Sequence, residues 1–160
     1  MMRYTLLSLI LFVSKHIYGQ EDSTKSIKFS AFVDVYYSYD FSNPQNFEKP
    51  DFNYNYKKHN QLNVNLAFVK LGYQSSRLRS NLALMTGNYA MYNLSAEPNW
   101  AKPLLEANIG YKLSKQQNIW VDAGVMPSHI GFESAVGSDC WNLTRSMLAE
   151  NSPYYETGIK

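Results

Sequence analysis

Residues 26–40 read Ser26-Ile27-Lys28-Phe29-Ser30-Ala31-Phe32-Val33-Asp34-Val35-Tyr36-Tyr37-Ser38-Tyr39-Asp40, and the run alternates with period two. Ile27, Phe29, Ala31, Val33, Val35, Tyr37 and Tyr39 occupy one face. Lys28, Ser30, Phe32, Asp34, Tyr36 and Ser38, which are mostly polar, occupy the other. Successive side chains of a strand point to opposite faces, so the pattern specifies a strand with one apolar side. Soluble strands run to about 5 to 6 residues, whereas a tilted membrane strand needs about 9 to 11. The length of the run therefore points to a strand that crosses a membrane.

The same pattern recurs downstream. A second strand is expected over residues 61–73, with Leu62, Val64, Leu66 and Phe68 on one face and Asn63 and Asn65 opposite. Its phase then changes, because Val69, Leu71 and Tyr73 fall on the other face. A bulge near residues 67–69 would reconcile the two halves. A third strand is expected over 77–89, with Leu78, Leu82 and Leu84 opposite Arg77, Arg79 and Asn81. A fourth, 104–113, sets Leu105, Ala107, Ile109, Tyr111 and Leu113 against Glu106, Asn108, Gly110 and Lys112. A fifth, 118–126, sets Ile119, Val121, Ala123 and Val125 against Trp120, Asp122 and Gly124, and a sixth begins at Tyr154.

The connections alternate long and short. Long loops are expected around 41–60, 88–103 and 127–153, with short turns at 74–76 and 114–117. Outer-membrane barrels have this asymmetry, with short periplasmic turns and longer external loops. Aromatic residues gather at strand ends: Tyr37, Tyr39, Tyr89, Tyr92, Tyr154 and Tyr155 on the long-loop side, Tyr73, Tyr111 and Trp120 on the other. Such residues form girdles at membrane interfaces. The expected fold is all-β, an antiparallel up-and-down transmembrane barrel. Six strands are too few to close it, since the smallest single-chain barrels have eight. The chain is therefore expected to be the N-terminal part of a longer protein, with residues 20–160 belonging to one barrel domain.

Composition agrees. The chain of 160 residues is 15% aromatic with 13 Tyr, and has only 8 Gly and 6 Pro. This disfavours disorder, and the negative mean hydropathy disfavours a helical membrane protein. Basic residues number 15 and acidic 13, and two of the basic ones, Arg3 and Lys15, lie near the N-terminus, so the rest is balanced. Nucleic-acid binders carry a basic face, and no such excess exists here. The lone Cys140 can form no intramolecular disulfide and supplies no cysteine-based zinc site. Residues 1–19 read as a cleaved secretory signal: Arg3, the apolar run 6–13, and Gly19 at the cut. That run is far short of the about 20 residues a membrane-spanning helix needs.

The third long loop carries a different signal. Ser138 and Asp139 are good N-cap residues, and Cys140, Leu143 and Met147 then recur at i, i+3 and i+7, with Trp141 and Leu148 beside them. Asn151 followed by Ser152-Pro153 ends the run. A short amphipathic helix is expected here, in a loop that folds over or into the barrel and narrows it.

The segment Pro127-Ser128-His129-Ile130-Gly131-Phe132-Glu133, with Asn142-Leu143-Thr144-Arg145-Ser146 and Glu150-Asn151-Ser152-Pro153-Tyr154, resembles the OmpL-like beta-barrel porins of Gram-negative outer membranes. The loop at Glu97-Pro98 and the strand Leu105-Glu106-Ala107-Asn108 are similar to members of that family too. The resemblance covers the whole chain and the first part of the family's length. It implies a passive channel for small hydrophilic solutes, set in outer-membrane lipid. Porins are commonly trimers, which allows a homo-oligomer, with no interface named by sequence.

In such a barrel Lys28, Asp34, Arg79, Glu106 and Asp122 line the lumen, with Arg77, Lys112 and Glu156 on the same faces. Glu133, Asp139, Arg145 and Glu150 are the charged residues of the third long loop, and Asp139, Arg145 and Glu150 are candidates for a constriction. Third loops of general porins fold inward in this way. The plainer reading is that the wall charges are solvated and that Trp141, Leu143, Met147 and Leu148 pack the loop on the barrel.

Catalysis finds little support. Past the leader only His59 and His129 remain, each alone in a loop. No nucleophile elbow, phosphate loop, HExxH or EF-hand pattern occurs. The expectation is a non-enzyme without cofactor or metal. The alternative is a secreted soluble β-barrel or sandwich binding an apolar ligand between its sheets. It would fold without detergent and bury the apolar faces. A membrane-barrel enzyme stands third.

Overall fold

A computed structural model describes residues 25–142 and 144–160; the leader expected over residues 1–19 lies outside them, as does Leu143. Six strands run in chain order: β1 Ser26–Tyr37, β2 Leu62–Gln74, β3 Leu78–Thr86, β4 Leu104–Lys112, β5 Trp120–Pro127 and β6 Tyr155–Ile159. They form one antiparallel sheet in the order β1-β2-β3-β4-β5-β6, so the topology is up-and-down and the sheet is open, with β1 and β6 outermost. β1 and β2, at 12 and 13 residues, are long enough to cross a bilayer at a tilt. Among the described residues no helix is long and apolar enough to do so.

The register sorts side chains onto two faces. Ala31 pairs with Val69 and Val69 with Leu84; Phe29 pairs with Leu71 and Leu71 with Leu82; Ile109 pairs with Ala123 and Ala123 with Ile159. This apolar face is bare: Ile27, Phe29, Val33, Leu71, Leu82, Ile109 and Ile159 are all exposed. A soluble sandwich would bury such a face under a second sheet. Here it has the alternation of strands that meet lipid on one side.

Loops fold over the half of the opposite face nearest them. The pairings Tyr37–Leu62, Leu84–Leu104 and Pro127–Tyr155 put all three long connections at one end of the sheet. These are loop 1 (38–61), loop 2 (87–103) and loop 3 (128–154). Loop 2 turns sharply at Gly87, whose φ of +117° suits glycine, and a β-carbon there would sit 2.6 Å from the Asn65 carbonyl oxygen. A π-helical turn, Tyr89–Asn93, follows. It brings Tyr89, Ala90 and Leu94 onto Leu66 and Met85 to form the buried cluster. Phe32, Phe68, Leu105, Ala135, Val136 and Tyr154 pack against it.

Three local expectations change. The phase shift in β2 comes from a bulge at Asn65, earlier than residues 67–69, because Asp34 pairs with Leu66 and Val35 with Val64. Leu62 is accordingly 75% exposed, whereas Leu66 is fully buried. A second irregularity, between Ala83 and Leu84, turns Leu105 toward the cluster rather than onto the bare face with Ala107 and Ile109. The helix of loop 3 is one turn only, α1 Met147–Glu150, preceded by a 3-10 turn at Gly137–Asp139. Ser146 is extended and its hydroxyl accepts the Ala149 N–H at 3.2 Å, so the cap lies at 146 rather than at 138–139. Trp141 is 98% exposed and Met147 and Leu148 are also exposed, so these side chains do not pack on the barrel.

The aromatic ends divide as well. Tyr37, Tyr39 and Tyr111 are exposed, as girdle residues would be. Tyr89 is buried in the cluster, with its ring edge-on to Tyr154 at 6.1 Å. Trp120 pairs with Lys112, and its ring carries the Arg79 guanidinium at 4.4 Å.

Candidate functional site

The loop-covered face is built in rows, because residues paired across the sheet share a face. Toward the short turns run Gln74, Arg79, Gly110 and Asp122, with Lys112 and Trp120 beyond them. Arg79 Nε donates to Asp122 Oδ1 at 2.7 Å, and its Nη2 to Asp122 Oδ2, across the intervening strand. Gly110 makes this reach feasible: a β-carbon there would collide with the Asp122 carboxylate and lie 2.8 Å from Arg79 Cγ. Trp120 supports the guanidinium from its ring face.

The next row holds Lys28, Gly72, Asn81, Asn108, Gly124 and Gly158. Asn81 Nδ2 donates to Asn108 Oδ1 at 3.1 Å, and Asn108 Nδ2 to the Val125 carbonyl at 3.1 Å. Lys28 is exposed on the outer strand. The third row holds Ser30, Lys70, Ala83 and Glu106. Lys70 Nζ donates to both Glu106 oxygens at 2.9 Å, passing over the fully buried Ala83. Both ion pairs therefore skip one strand, and the skipped residue is Gly or Ala.

Closer to the long loops, Asp34 is occupied. Its Oδ2 accepts from Tyr56 Oη and from Asn65 Nδ2, both at 3.0 Å. Asn65 Oδ1 accepts the Tyr56 N–H at 2.9 Å, so the bulge residue clamps loop 1. Tyr36 Oη donates to Asn88 Oδ1 and accepts the Lys58 N–H at 2.8 Å. Burial and the Asp34 carboxylate push the Tyr56 phenol up to about 12. Loop 1 is also tied to loop 2. Glu48 pairs with Lys58 at 2.7 Å and accepts from Tyr92 Oη at 2.6 Å. These donors, Lys58 first and then Tyr92, hold the Glu48 carboxyl below its usual range.

Loop 3 lies over this arrangement. Glu150 is 5% exposed and accepts the Tyr54 N–H at 3.1 Å and Asn55 Nδ2 at 2.5 Å, which joins loops 1 and 3. Glu133 accepts from the Ser146 N–H at 3.0 Å and from its hydroxyl, and the hydroxyl first, then the backbone, lowers the Glu133 carboxyl. Arg145 Nη2 donates to the Ala149 carbonyl at 2.9 Å. Between loop 3 and the sheet is a cavity of about 450 Å³, lined by Lys70 and Glu106 from the wall and by Glu133, Asp139 and Arg145 from the loop.

Of the residues singled out from sequence, the structure brings Glu106, Asp139 and Arg145 to one cavity. Arg79 and Asp122 meet each other, Asp34 serves loop 1, Lys28 stands apart, and Glu150 is a loop fastener. Glu156 pairs with His129 Nδ1 at 2.5 Å, and Arg77 Nη1 donates to Tyr111 Oη at 3.2 Å. Sequence reading missed Lys70 and Tyr56, and placed Asn65 only on a strand face and Trp120 only on a strand face and in a girdle. Lys70 was findable as the one charge between Val69 and Leu71, once the phase of β2 is corrected.

Comparison with known families adds a name to this architecture. Residues 26–160 match the family model described as "Putative beta-barrel porin-2, OmpL-like". The chain belongs to this porin family. No curated protein and no solved structure matches it. Membership implies an outer-membrane setting and a general porin role. In that setting the bare apolar face of the porin meets lipid, and the loop-covered face meets the aqueous interior.

Proposed function

We propose that this porin is a passive diffusion channel for small hydrophilic solutes, delivered to the outer membrane by a cleaved leader at residues 1–19. Its N-terminal six strands form part of a larger barrel wall. Loops 1, 2 and 3 narrow the external mouth, and Asp139 and Arg145 stand at the narrowing. The reading includes no catalytic step and no cofactor. The observation that carries it is the division of the sheet: exposed apolar side chains on one face, ion pairs, amides and inward-folded loops on the other. A backbone edge left open in lipid would forfeit several kcal/mol per unpaired group. The edges of β1 and β6 therefore pair with further strands of the same barrel or with a neighbouring copy.

The test is conductance of the full-length protein in planar bilayers. Stepwise, ohmic conductance is expected, together with uptake of small uncharged sugars by proteoliposomes. Folded protein that inserts but passes neither ions nor sugars would overturn the reading.

A further inference from the structure

We infer that the cavity between loop 3 and the sheet binds a small solute with a carboxylate head and an apolar body, the carboxylate held by Arg145. The inference rests on the porin reading, in that the cavity lies on the solute path.

The Arg145 guanidinium lines this cavity and spends only Nη2 within the protein, on the Ala149 carbonyl at 2.9 Å. Its Nε and Nη1 are buried and close no hydrogen bond among the described residues, the Tyr89 phenol being the neutral oxygen that lies beside the guanidinium. A guanidinium stays charged at any working pH, and a charged donor left unpaired away from bulk water is expensive. The neighbouring carboxylates do not fill the gap. Glu106 is held by Lys70, Glu133 by Ser146, and Glu150 by Tyr54 and Asn55. The fold's own acceptors therefore leave the Arg145 guanidinium under-satisfied at the edge of the cavity.

The rest of the lining limits what satisfies it. Phe68, Leu105, Tyr89 and Tyr154 present apolar and aromatic surface to the same cavity. At about 450 Å³ it has the size of a small-molecule site, and its lining is as polar as it is apolar. A phosphate dianion would face Glu106, Glu133 and Asp139 around the same space. A single carboxylate satisfies Arg145 with less repulsion, and the apolar walls take its body. A neutral apolar solute would leave Arg145 as it is.

The test uses phenylacetate, acetate and 2-phenylethanol against the full-length protein in detergent micelles, read by titration calorimetry. Phenylacetate is expected to bind at least tenfold more tightly than either acetate, which lacks the body, or 2-phenylethanol, which lacks the charge. Arg145→Gln is expected to weaken phenylacetate about tenfold or more, the range of a charge-assisted hydrogen bond, and to leave 2-phenylethanol unchanged. Equal binding of phenylacetate and 2-phenylethanol to the unaltered protein would overturn the inference, whether or not the variant folds. So would an Arg145→Gln protein that holds phenylacetate as before. Calorimetry needs no conductance. A channel that conducts without binding phenylacetate removes only this inference, and a protein that never conducts removes the porin reading.

Discussion

Replacing Glu150 should free loop 1 from loop 3. The Glu150 carboxylate is 5% exposed and accepts two bonds from loop 1, from the Tyr54 N–H at 3.1 Å and from Asn55 Nδ2 at 2.5 Å. A hydrogen bond to a charged group contributes about 1.5–3 kcal/mol. Two that share one carboxylate do not add fully, so Glu150→Ala should weaken the docking of loop 1 by about 3 kcal/mol. At 1.4 kcal/mol per tenfold, the undocked population then rises by roughly a hundredfold. Trypsin can read this change. Lys57 has a side chain only 3% exposed in the docked loop, where it pairs with Asp51 at 3.1 Å, so cleavage at residues 57–58 requires opening. Where opening is fast relative to cleavage, the rate follows the open population. Cleavage at residues 57–58 should accelerate at least tenfold in Glu150→Ala and less in Glu150→Gln, which keeps one acceptor. Cleavage at Lys115, exposed in the opposite turn, should not change. Equal rates at residues 57–58 in Glu150→Ala and the unaltered protein would refute the fastening role. Equal acceleration at both sites would mean that the whole fold had loosened instead.

Three further outcomes are expected. Gly110→Ala should destabilise the sheet by about 1–3 kcal/mol, the usual range for overpacking, seen as a lower melting temperature in micelles; an unchanged value would mean that the Arg79–Asp122 pair moves aside freely. Acid should loosen loop 1. The Glu48 carboxyl is lowered by Lys58 and Tyr92, so its contribution is present above the ordinary carboxylate range and is lost as pH falls through the depressed value. The Lys58 ammonium is raised by Glu48, so its contribution is present below the ordinary lysine range and is lost only as pH rises through the raised value. The near-ultraviolet dichroism of the loop tyrosines should therefore hold steady from about pH 5 to 10 and change below about pH 4; a transition near neutrality would contradict the pairing. In reconstituted channels Arg145→Glu should shift the reversal potential toward cations, while the paired change Arg79→Gln with Asp122→Asn should barely move it. The opposite ranking would place the selective charge on the wall.

The strands were legible because alternation is a local property. Residues 26–40 reveal their two faces without knowledge of any neighbour, and β1 does begin at Ser26. It stops at Tyr37 because Ser38 is taken by loop 1, its hydroxyl donating to the Lys58 carbonyl at 2.8 Å and its own carbonyl accepting the Asn60 N–H at 2.8 Å. The bulge was legible only as a phase conflict. Its position depends on Asn65 finding Tyr56 in the preceding loop and Asp34 on the neighbouring strand, the second a long-range contact. The helix in loop 3 was overread for a related reason. Spacing at i, i+3 and i+7 describes a stripe, but Trp141 and Leu148 remain exposed, and the turn survives only where Ser146 caps it and Glu133 steadies the cap. Of the candidate site, charge and face could be read, but not partnership. Nothing in the order of residues says that Arg79 will span Gly110 to reach Asp122.

That last point bears on how such a channel would select. Charges of both signs on one wall suggest a strong transverse field when read one by one. In the fold, Arg79 contacts Asp122 and Lys70 contacts Glu106, so each pair acts on a passing ion as a short dipole. A dipole's field falls off faster than a lone charge's, and ions within about 8–10 Å screen what remains at ordinary salt. Asp34 is turned toward Tyr56 and Asn65, under loop 1. The wall contributes shape and wetting more than sign. The loop over it differs in kind, since no carboxylate among the described residues pairs with Arg145 and two of its buried donors close no hydrogen bond. This wall can then stay nearly neutral and stable whatever stands in loop 3, because a change at 145 disturbs no ion pair that holds strands together.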